Sequence, residues 1–368
     1  MRHSLLAVTG SSGSGKTSLI LRLLPALRAR GYRPACIKHS SHHHNFGNPA
    51  KDSGRFYAAN AAYSLVGNDE TQLLQCPRPL DLAQLPPCAE ADLLLLEGWK
   101  QLKAPRIQCL LPDESPPEPS EELIAIQCQT TVQAARLNQT LGQELAYSWD
   151  QDVTPLAETL IPRLTQYYLK HRPLKVALLA GGKSSRMGEE KALLDYGRGR
   201  QLDVLSRLLQ EPLPGLPLVL SARPDQNLQL PGVQLVQDRV LEAGPLGGLL
   251  SLFLQDPEAA WMVFGVDLAC LGPEAILQLK NLRNPLKPVS FLQREDIEPL
   301  AAIYEPACQS QLREAWFHYR LSLRRVIGQM PCQAIPLEVQ HWPQLFNVNR
   351  PAEVEQARAY WRGELASH

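Results

Sequence analysis

Leu5-Leu6-Ala7-Val8-Thr9-Gly10-Ser11-Ser12-Gly13-Ser14-Gly15-Lys16-Thr17 is an apolar run that feeds a glycine-rich turn. Val176-Ala177-Leu178-Leu179-Ala180-Gly181-Gly182 repeats the plan in the second half of the chain. Such strand-to-turn openings place backbone N–H groups at the carboxyl edge of a parallel sheet, where α/β proteins bind ligands. Two of them in a chain of 368 residues predict two α/β domains in tandem. The boundary is expected in Ile161 to Pro173, read as a helix end and short linker, giving domains 1–170 and 171–368.

Working outward, strands are expected at His3–Thr9, Pro34–His39, Leu93–Glu97, Ile107–Leu110 and Ile124–Gln127 in the first half. The second half should place strands at Val176–Leu179, Leu218–Ser221, Gln234–Gln237 and Trp261–Val266. Helices are expected over Lys16–Arg30, Gln201–Gln210 and Gly247–Leu254, with a last one from Pro351. Pro25 should kink or end the first helix. Strands alternating with helices imply mostly parallel sheets covered on both faces.

Lys plus Arg and Asp plus Glu both number 37, so the charge balance gives no case for nucleic-acid binding. No apolar run approaches the roughly 18 residues of a membrane span. The eight cysteines include no CxxC pair. Small buried thiols in a cytoplasmic protein account for them.

Gly10 to Thr17 matches the full phosphate-binding P-loop pattern, between a strand and a helix as the motif requires. Gly10, Gly13 and Gly15 let the backbone curl around phosphates, Lys16 supplies a point charge, and Thr17 can hold Mg²⁺. Asp92-Leu93-Leu94-Leu95-Leu96-Glu97 is an apolar strand bracketed by acids. Glu97, at its carboxyl end, is the better candidate for a metal- or water-positioning acid; a strand-capping surface acid is the alternative. Four of nine histidines fall in His39 to His44, which reads either as a polar loop or as a metal site.

Gly181-Gly182-Lys183-Ser184-Ser185-Arg186-Met187-Gly188 followed by Lys191 forms a second phosphate site. Bare backbone admits a base and ribose. Arg186 can fork two phosphate oxygens, and Lys191 adds a cation where pyrophosphate would leave. Asp267 ends the apolar strand Trp261–Val266, opposite this turn, where a carboxylate suits Mg²⁺. Asp238 also follows an apolar strand, and either acid could instead cap a helix. Asn347 and Asn349 alternate before a proline-started helix, as phosphate contacts or as caps.

These residues carry two resemblances. The P-loop, Lys38-His39, Lys51-Asp52-Ser53 and Leu96-Glu97-Gly98-Trp99-Lys100 resemble the MobB-type accessory protein of molybdopterin-guanine dinucleotide synthesis, over about residues 1 to 165. Asn45, Asn48 and Ala50 stand where that family often carries aspartates and a glycine. The Leu178 to Leu193 stretch resembles the nucleotidyltransferase signature. With Asp238-Arg239, Gly244-Pro245-Leu246-Gly247-Gly248, Pro299-Leu300-Ala301-Ala302, Ser322-Leu323-Arg324-Arg325 and Asn347-Val348-Asn349-Arg350-Pro351, it is similar to the MobA-type molybdenum cofactor guanylyltransferase. Carried over by position, the likeness puts Leu179, Ala180, Gly181, Ser221 and Asp238 on the nucleotide, Lys191 on phosphate and Asp267 on Mg²⁺. Ser221 stands where some relatives have Asn, and Ala269 where the family has Pro.

The expected fold is therefore α/β, a P-loop NTPase-like domain followed by a Rossmann-like nucleotidyltransferase domain. The resemblance implies transfer of GMP from GTP to molybdenum-molybdopterin with release of pyrophosphate, Mg²⁺ as cofactor, and a weakly GTP-hydrolysing accessory domain. It implies as partners molybdenum-insertion proteins, molybdoenzyme chaperones and a second copy joined through the N-terminal domain. Catalysis would fall to Lys191, Arg186 and Asp267, and metal binding to Asp267, Thr17 and Glu97. Two rival readings stand beside it: a sugar- or polyol-phosphate nucleotidyltransferase fused to an NTPase domain, and a metal-delivery GTPase using the histidine cluster.

Overall fold

The computed structural model describes residues 4–38, 64–67, 72–75, 91–181, 190–293 and 296–364. Arg186, Gly182, the histidine cluster His39 to His44 and Lys51-Asp52-Ser53 lie outside these residues.

The first half is built on strands β1 (Ser4–Gly10), β2 (Pro34–Lys38), β3 (Ser64–Gly67), β4 (Gln72–Gln75), β5 (Leu93–Glu97), β6 (Arg106–Cys109), β7 (Leu123–Cys128) and β8 (Ala146–Ser148). β3 and β4 form a separate antiparallel pair. The other six make one sheet in the order β2-β5-β1-β6-β7-β8, and every pairing is parallel. β1 and β5 are buried along their whole length, as strands covered by helices on both faces must be.

Helix α1 (Lys16–Ala29) begins where the P-loop ends. Leu19, Ile20, Leu23 and Leu27 fall on one face and bury against the sheet. Of the two outcomes expected at Pro25, a kink or an end, the helix does not end there but runs on to Ala29. The carbonyl that Pro25 leaves without a donor is that of Leu21, a residue 63% exposed, on the side where water can replace the missing bond. Ile161 to His171 is, as expected, the end of a helix, α3 (Thr154–His171), which follows α2 (Thr131–Leu141).

Only Arg172 and Pro173 separate α3 from the second sheet. That sheet comprises β9 (Leu174–Leu179), β10 (Leu218–Ala222), β11 (Gln234–Gln237), β12 (Ala260–Gly265), β13 (Val289–Gln293), β14 (Asp296–Tyr304) and β15 (Gln333–Pro336). Its order is β11-β10-β9-β12-β14-β13-β15. All neighbours are parallel except β14, which runs antiparallel to both β12 and β13. Helices α4 (Gln201–Gln210), α5 (Pro245–Gln255), α6 (Pro273–Asn281), α7 (Gln309–Phe317), α8 (Leu323–Gln329) and α9 (Pro351–Trp361) complete it. Two apolar clusters, one on each face of this sheet, form its core.

The two sheets meet at their amino edges. Leu286, in the turn before β13, packs into the apolar cluster of the first half. Arg172 and Arg283 share the buried Glu305 carboxylate at 3.2 and 2.7 Å, and Arg172 also donates to Pro285 O at 2.8 Å. Ser4 Oγ donates to the same carbonyl. Lys287 Nζ donates to Gly31 O at 2.6 Å while lying over the Tyr32 ring. Because both seams use amino edges, the carboxyl edges, where ligands bind, point to opposite ends of the molecule.

Candidate active site

β9 turns outward to β10 and β11 on one side, and the chain returns to β12 on the other. The crevice of such a sheet lies where the winding reverses, between β9 and β12 at their carboxyl ends. Four strand ends deliver the site there: Ala180-Gly181 after β9, Ser221 near the end of β10, Asp238 after β11 and Asp267 after β12. Leu179, Ala180, Gly181, Lys191, Ser221, Asp238 and Asp267 line one pocket.

Gly181 is there for want of a side chain. A Cβ at this position would come within 2.4 Å of Asp238 Oδ2. Asp238 is buried and its Oδ1 accepts the Ser221 hydroxyl at 2.6 Å. Burial pushes the Asp238 carboxyl above its usual range, and the Ser221 bond and nearby Arg223 pull it back. Gln226, which sequence reading missed, donates from Nε2 to Ala180 O and accepts Arg223 N–H, tying the β9 and β10 ends together.

Lys191 opens a short 3-10 turn, Lys191–Leu193, that projects its ammonium over the pocket. Nζ lies 2.6 Å from Asn349 Oδ1 and 3.4 Å from Asp267 Oδ2. Neither Asp238 nor Asp267 caps a helix: α5 and α6 begin at Gly244 and Gly272. Nor does an asparagine side chain cap α9, since Glu353 reaches back to the N–H groups of Asn349 and Arg350.

The Asp267 turn and the asparagine segment are clasped by backbone. Val348 N–H donates to Asp267 O at 2.9 Å and Ala269 N–H to Phe346 O at 3.2 Å, with Leu268 bridged to Asn347. Proline at 269 would lack that second donor. Asp267 Oδ1 and Asn347 Oδ1 are buried and accept no hydrogen bond from the described residues. Glu298, on β14 and also missed by sequence reading, accepts Asn347 Nδ2–H at 2.8 Å and Leu300 N–H at 2.9 Å. Burial pushes its carboxyl up, against the pull of these donors and Arg324. The signal for it was an acid beside Pro299 inside a central strand, where proline is tolerated only at irregular pairing. The register of β14 with β13 shifts there, between Ser290 and Leu292.

The first half assembles its own site at the opposite end. Gly15 has φ +89°, a conformation that favours glycine, and a Cβ there would meet the Trp149 ring at 2.5 Å. α1 starts at once, so its N-terminal dipole faces the loop. Lys16 Nζ donates to Ser11 O at 2.6 Å, folded onto its own loop. Thr17 Oγ1 donates to Glu97 Oε2 at 2.8 Å, and Lys38 Nζ pairs with Glu97 Oε1 at 2.9 Å. Glu97 is buried, not a surface acid, whereas Asp92 stands at the far, amino edge against Arg33. Ser11 also donates to Glu114, from the proline-rich loop, and this bond holds the Glu114 carboxyl below its usual range.

Among the described residues no three His, Cys, Asp or Glu side chains gather as a metal cage, and no helix is long and apolar enough to cross a membrane. A cation at either site would take its other ligands from phosphate and water, as Mg²⁺ commonly does. The described cysteines are free thiols. Cys109, Cys128, Cys270 and Cys308 are buried as expected, but Cys36 is exposed and Cys332 half-buried.

Comparison with known proteins divides the chain in the same way. Residues 5–129 match the family described as molybdopterin guanine dinucleotide synthesis protein B, and residues 176–334 match the MobA-like NTP transferase domain. The molybdopterin-guanine dinucleotide biosynthesis adapter protein of Haemophilus influenzae is 40% identical over 108 residues, covering 28% of this chain and 61% of that relative. A probable molybdenum cofactor guanylyltransferase of Rhodopirellula baltica is 30% identical over 195 residues, covering 50% of this chain and 90% of the relative. The molybdenum cofactor biosynthesis bifunctional protein of a Synechocystis species is 32% identical over 196 residues, 50% of this chain and 53% of that one. The chain thus spans less than two thirds of the adapter and bifunctional relatives it matches. With its second half so matched and an adapter-type domain in front, the chain belongs to the molybdenum cofactor guanylyltransferase family, fused to a MobB domain.

Proposed function

We propose that the second half transfers GMP from GTP to molybdenum-molybdopterin, and that the first half is a GTP-binding accessory domain. The observation that carries this is the meeting of Lys191, Asp267 and the Gly181 turn at the switch point of a sheet whose relatives are named guanylyltransferases. A phosphate oxygen of the acceptor attacks the α-phosphorus, the bond from that phosphorus to the bridging oxygen breaks, and pyrophosphate leaves with the electron pair. The nucleophile is already an anion, so no general base is needed. Catalysis is positioning plus charge neutralisation.

In this reading Leu179, Ala180 and Gly181 lie along the nucleotide. Ser221 and Asp238 fix base or ribose by hydrogen bonds, and Lys191 neutralises phosphate. Asp267 Oδ1, without a partner among the described residues, fits Mg²⁺, which when bound would neutralise charge on the triphosphate. In the first half Lys16 and the P-loop amides would hold a second triphosphate, with Thr17 and Glu97 fitting its Mg²⁺. The domains proposed are 1–170 and 171–368. A cytoplasmic location, partners that insert molybdenum or receive the finished cofactor, and a homodimer through the first domain belong to the same reading.

The test is incubation of the full chain with molybdenum-molybdopterin and each of GTP, ATP, CTP and UTP, with mass analysis of the product and assay of pyrophosphate. The guanine dinucleotide form should arise from GTP alone. Equal turnover of CTP or UTP, or transfer to sugar phosphates in its place, would overturn the reading.

A further inference from the structure

Glu298 lies on the interior strand β14 and is 4% exposed. A buried carboxylate is costly unless its lone pairs are taken up. Oε1 accepts Leu300 N–H at 2.9 Å, and Leu300 itself lines the transfer pocket. Oε2 accepts Asn347 Nδ2–H at 2.8 Å, and the Arg324 guanidinium stands 3.9 Å from it. An ionised carboxylate can only accept, so it dictates which end of the Asn347 amide it meets. The nitrogen turns toward Glu298, and the oxygen turns away.

That oxygen is buried and has no hydrogen-bond partner among the described residues, and the same is true of Asp267 Oδ1. The backbone clasp between the two segments holds Asn347 beside the Asp267 turn. Two unmet acceptors on segments clasped together by backbone, one of them on a residue that lines the pocket, call for a donor that arrives with the substrates. We infer that Glu298 is a positioning residue for transfer: it locks the Asn347 amide so that Oδ1 is presented as an acceptor alongside Asp267. This rests on the functional reading above. The donor is either a hydrated divalent cation or an N–H or O–H of the acceptor substrate.

Glu298→Gln isolates the effect. Its volume is unchanged and its Oε1 still accepts Leu300 N–H, but its own amide can donate, so Asn347 is free to turn either way. The full chain, Glu298→Gln, Asn347→Ala and the double variant are compared in three measurements. These are Mg²⁺ titration of GTP binding followed by intrinsic fluorescence without acceptor, kcat and KM for molybdopterin, and thermal melting. Glu298→Gln should weaken either Mg²⁺ dependence or acceptor KM by about 10- to 100-fold, as loss of a ligand-orienting partner typically does. A shift in the Mg²⁺ titration assigns the donor to the cation, and a shift in acceptor KM alone assigns it to the substrate. In the Asn347→Ala background Glu298→Gln should add nothing, because the residue it orients is gone. Unaltered Mg²⁺ dependence and KM in Glu298→Gln would overturn the inference, and so would an equal effect in both backgrounds. If the parent chain makes no guanine dinucleotide, the functional reading falls, and the Mg²⁺ titration still decides the role of Glu298.

Discussion

The Lys191 ammonium stands 3.4 Å from the Asp267 carboxylate, although 76 residues separate them in sequence. The distance is long for a charged hydrogen bond, and Nζ is closer to Asn349, at 2.6 Å. The pair is held apart by its separate elements, the 3-10 turn and the end of β12, so triphosphate and cation can enter without dismantling a tight ion pair.

Lys191→Ala and Asp267→Ala should therefore each cut transfer by about 10²–10³, the usual cost of removing one preorganised charge contact. Both side chains are partly exposed, at 18 and 19%, so the melting temperature should barely move. Steady-state pyrophosphate release alongside a thermal melt checks this. Near-parental turnover in either variant removes that residue from the site.

Asp238→Asn should separate stability from binding. The buried carboxyl has its folded-state pKa raised, chiefly by burial. Its favourable contribution is therefore complete below the unfolded-state pKa and lost as pH rises through the folded one. The neutral amide escapes that loss, and its oxygen can still accept the Ser221 hydroxyl. The variant should melt higher than the parent at neutral pH, with the gain vanishing as pH falls into the carboxyl range, while GTP binding weakens. Melts across pH 4 to 8 read the first effect and isothermal titration the second; a gain that grows in acid contradicts the argument.

Arg172→Ala should destabilise the seam between the halves. It leaves the Glu305 carboxylate, 1% exposed, to Arg283 alone and strips Pro285 O of a donor. Removing one partner of a buried pair typically costs about 3 kcal/mol or more. Urea unfolding should show the loss, and a midpoint within error of the parent would mean that the seam does not bear on stability.

Lys16→Ala should weaken nucleotide binding at the P-loop by about 10- to 100-fold, the worth of one charged hydrogen bond. It should leave GMP transfer intact in vitro, because the P-loop and the transfer pocket lie at opposite carboxyl edges. Competitive nucleotide binding and a transfer assay on the same variant test both halves of the statement. Loss of transfer would place the P-loop in the catalytic cycle.

The sequence by itself determined the two glycine turns, the strands that feed them and the acids that end β5, β11 and β12. Each of these depends on local patterning: an apolar run, a backbone conformation or steric gap only glycine fills, a polar residue where the strand stops. It could not determine what stands against those residues. That Asn349 meets Lys191 rather than capping α9, and that Thr17 is the partner of Glu97, follow from strand order and direction. The roles of Glu298 and Gln226 escaped for the same reason, since each is completed by a partner 49 or 46 residues away. Pro25 went the other way: its local penalty was legible, but exposure of the turn before it, a tertiary matter, left the helix unbroken. The seam, too, belongs to tertiary structure. Nothing local marks Arg172, Arg283 and Glu305 as one buried cluster, and only the docking of two amino edges withdraws them together from water.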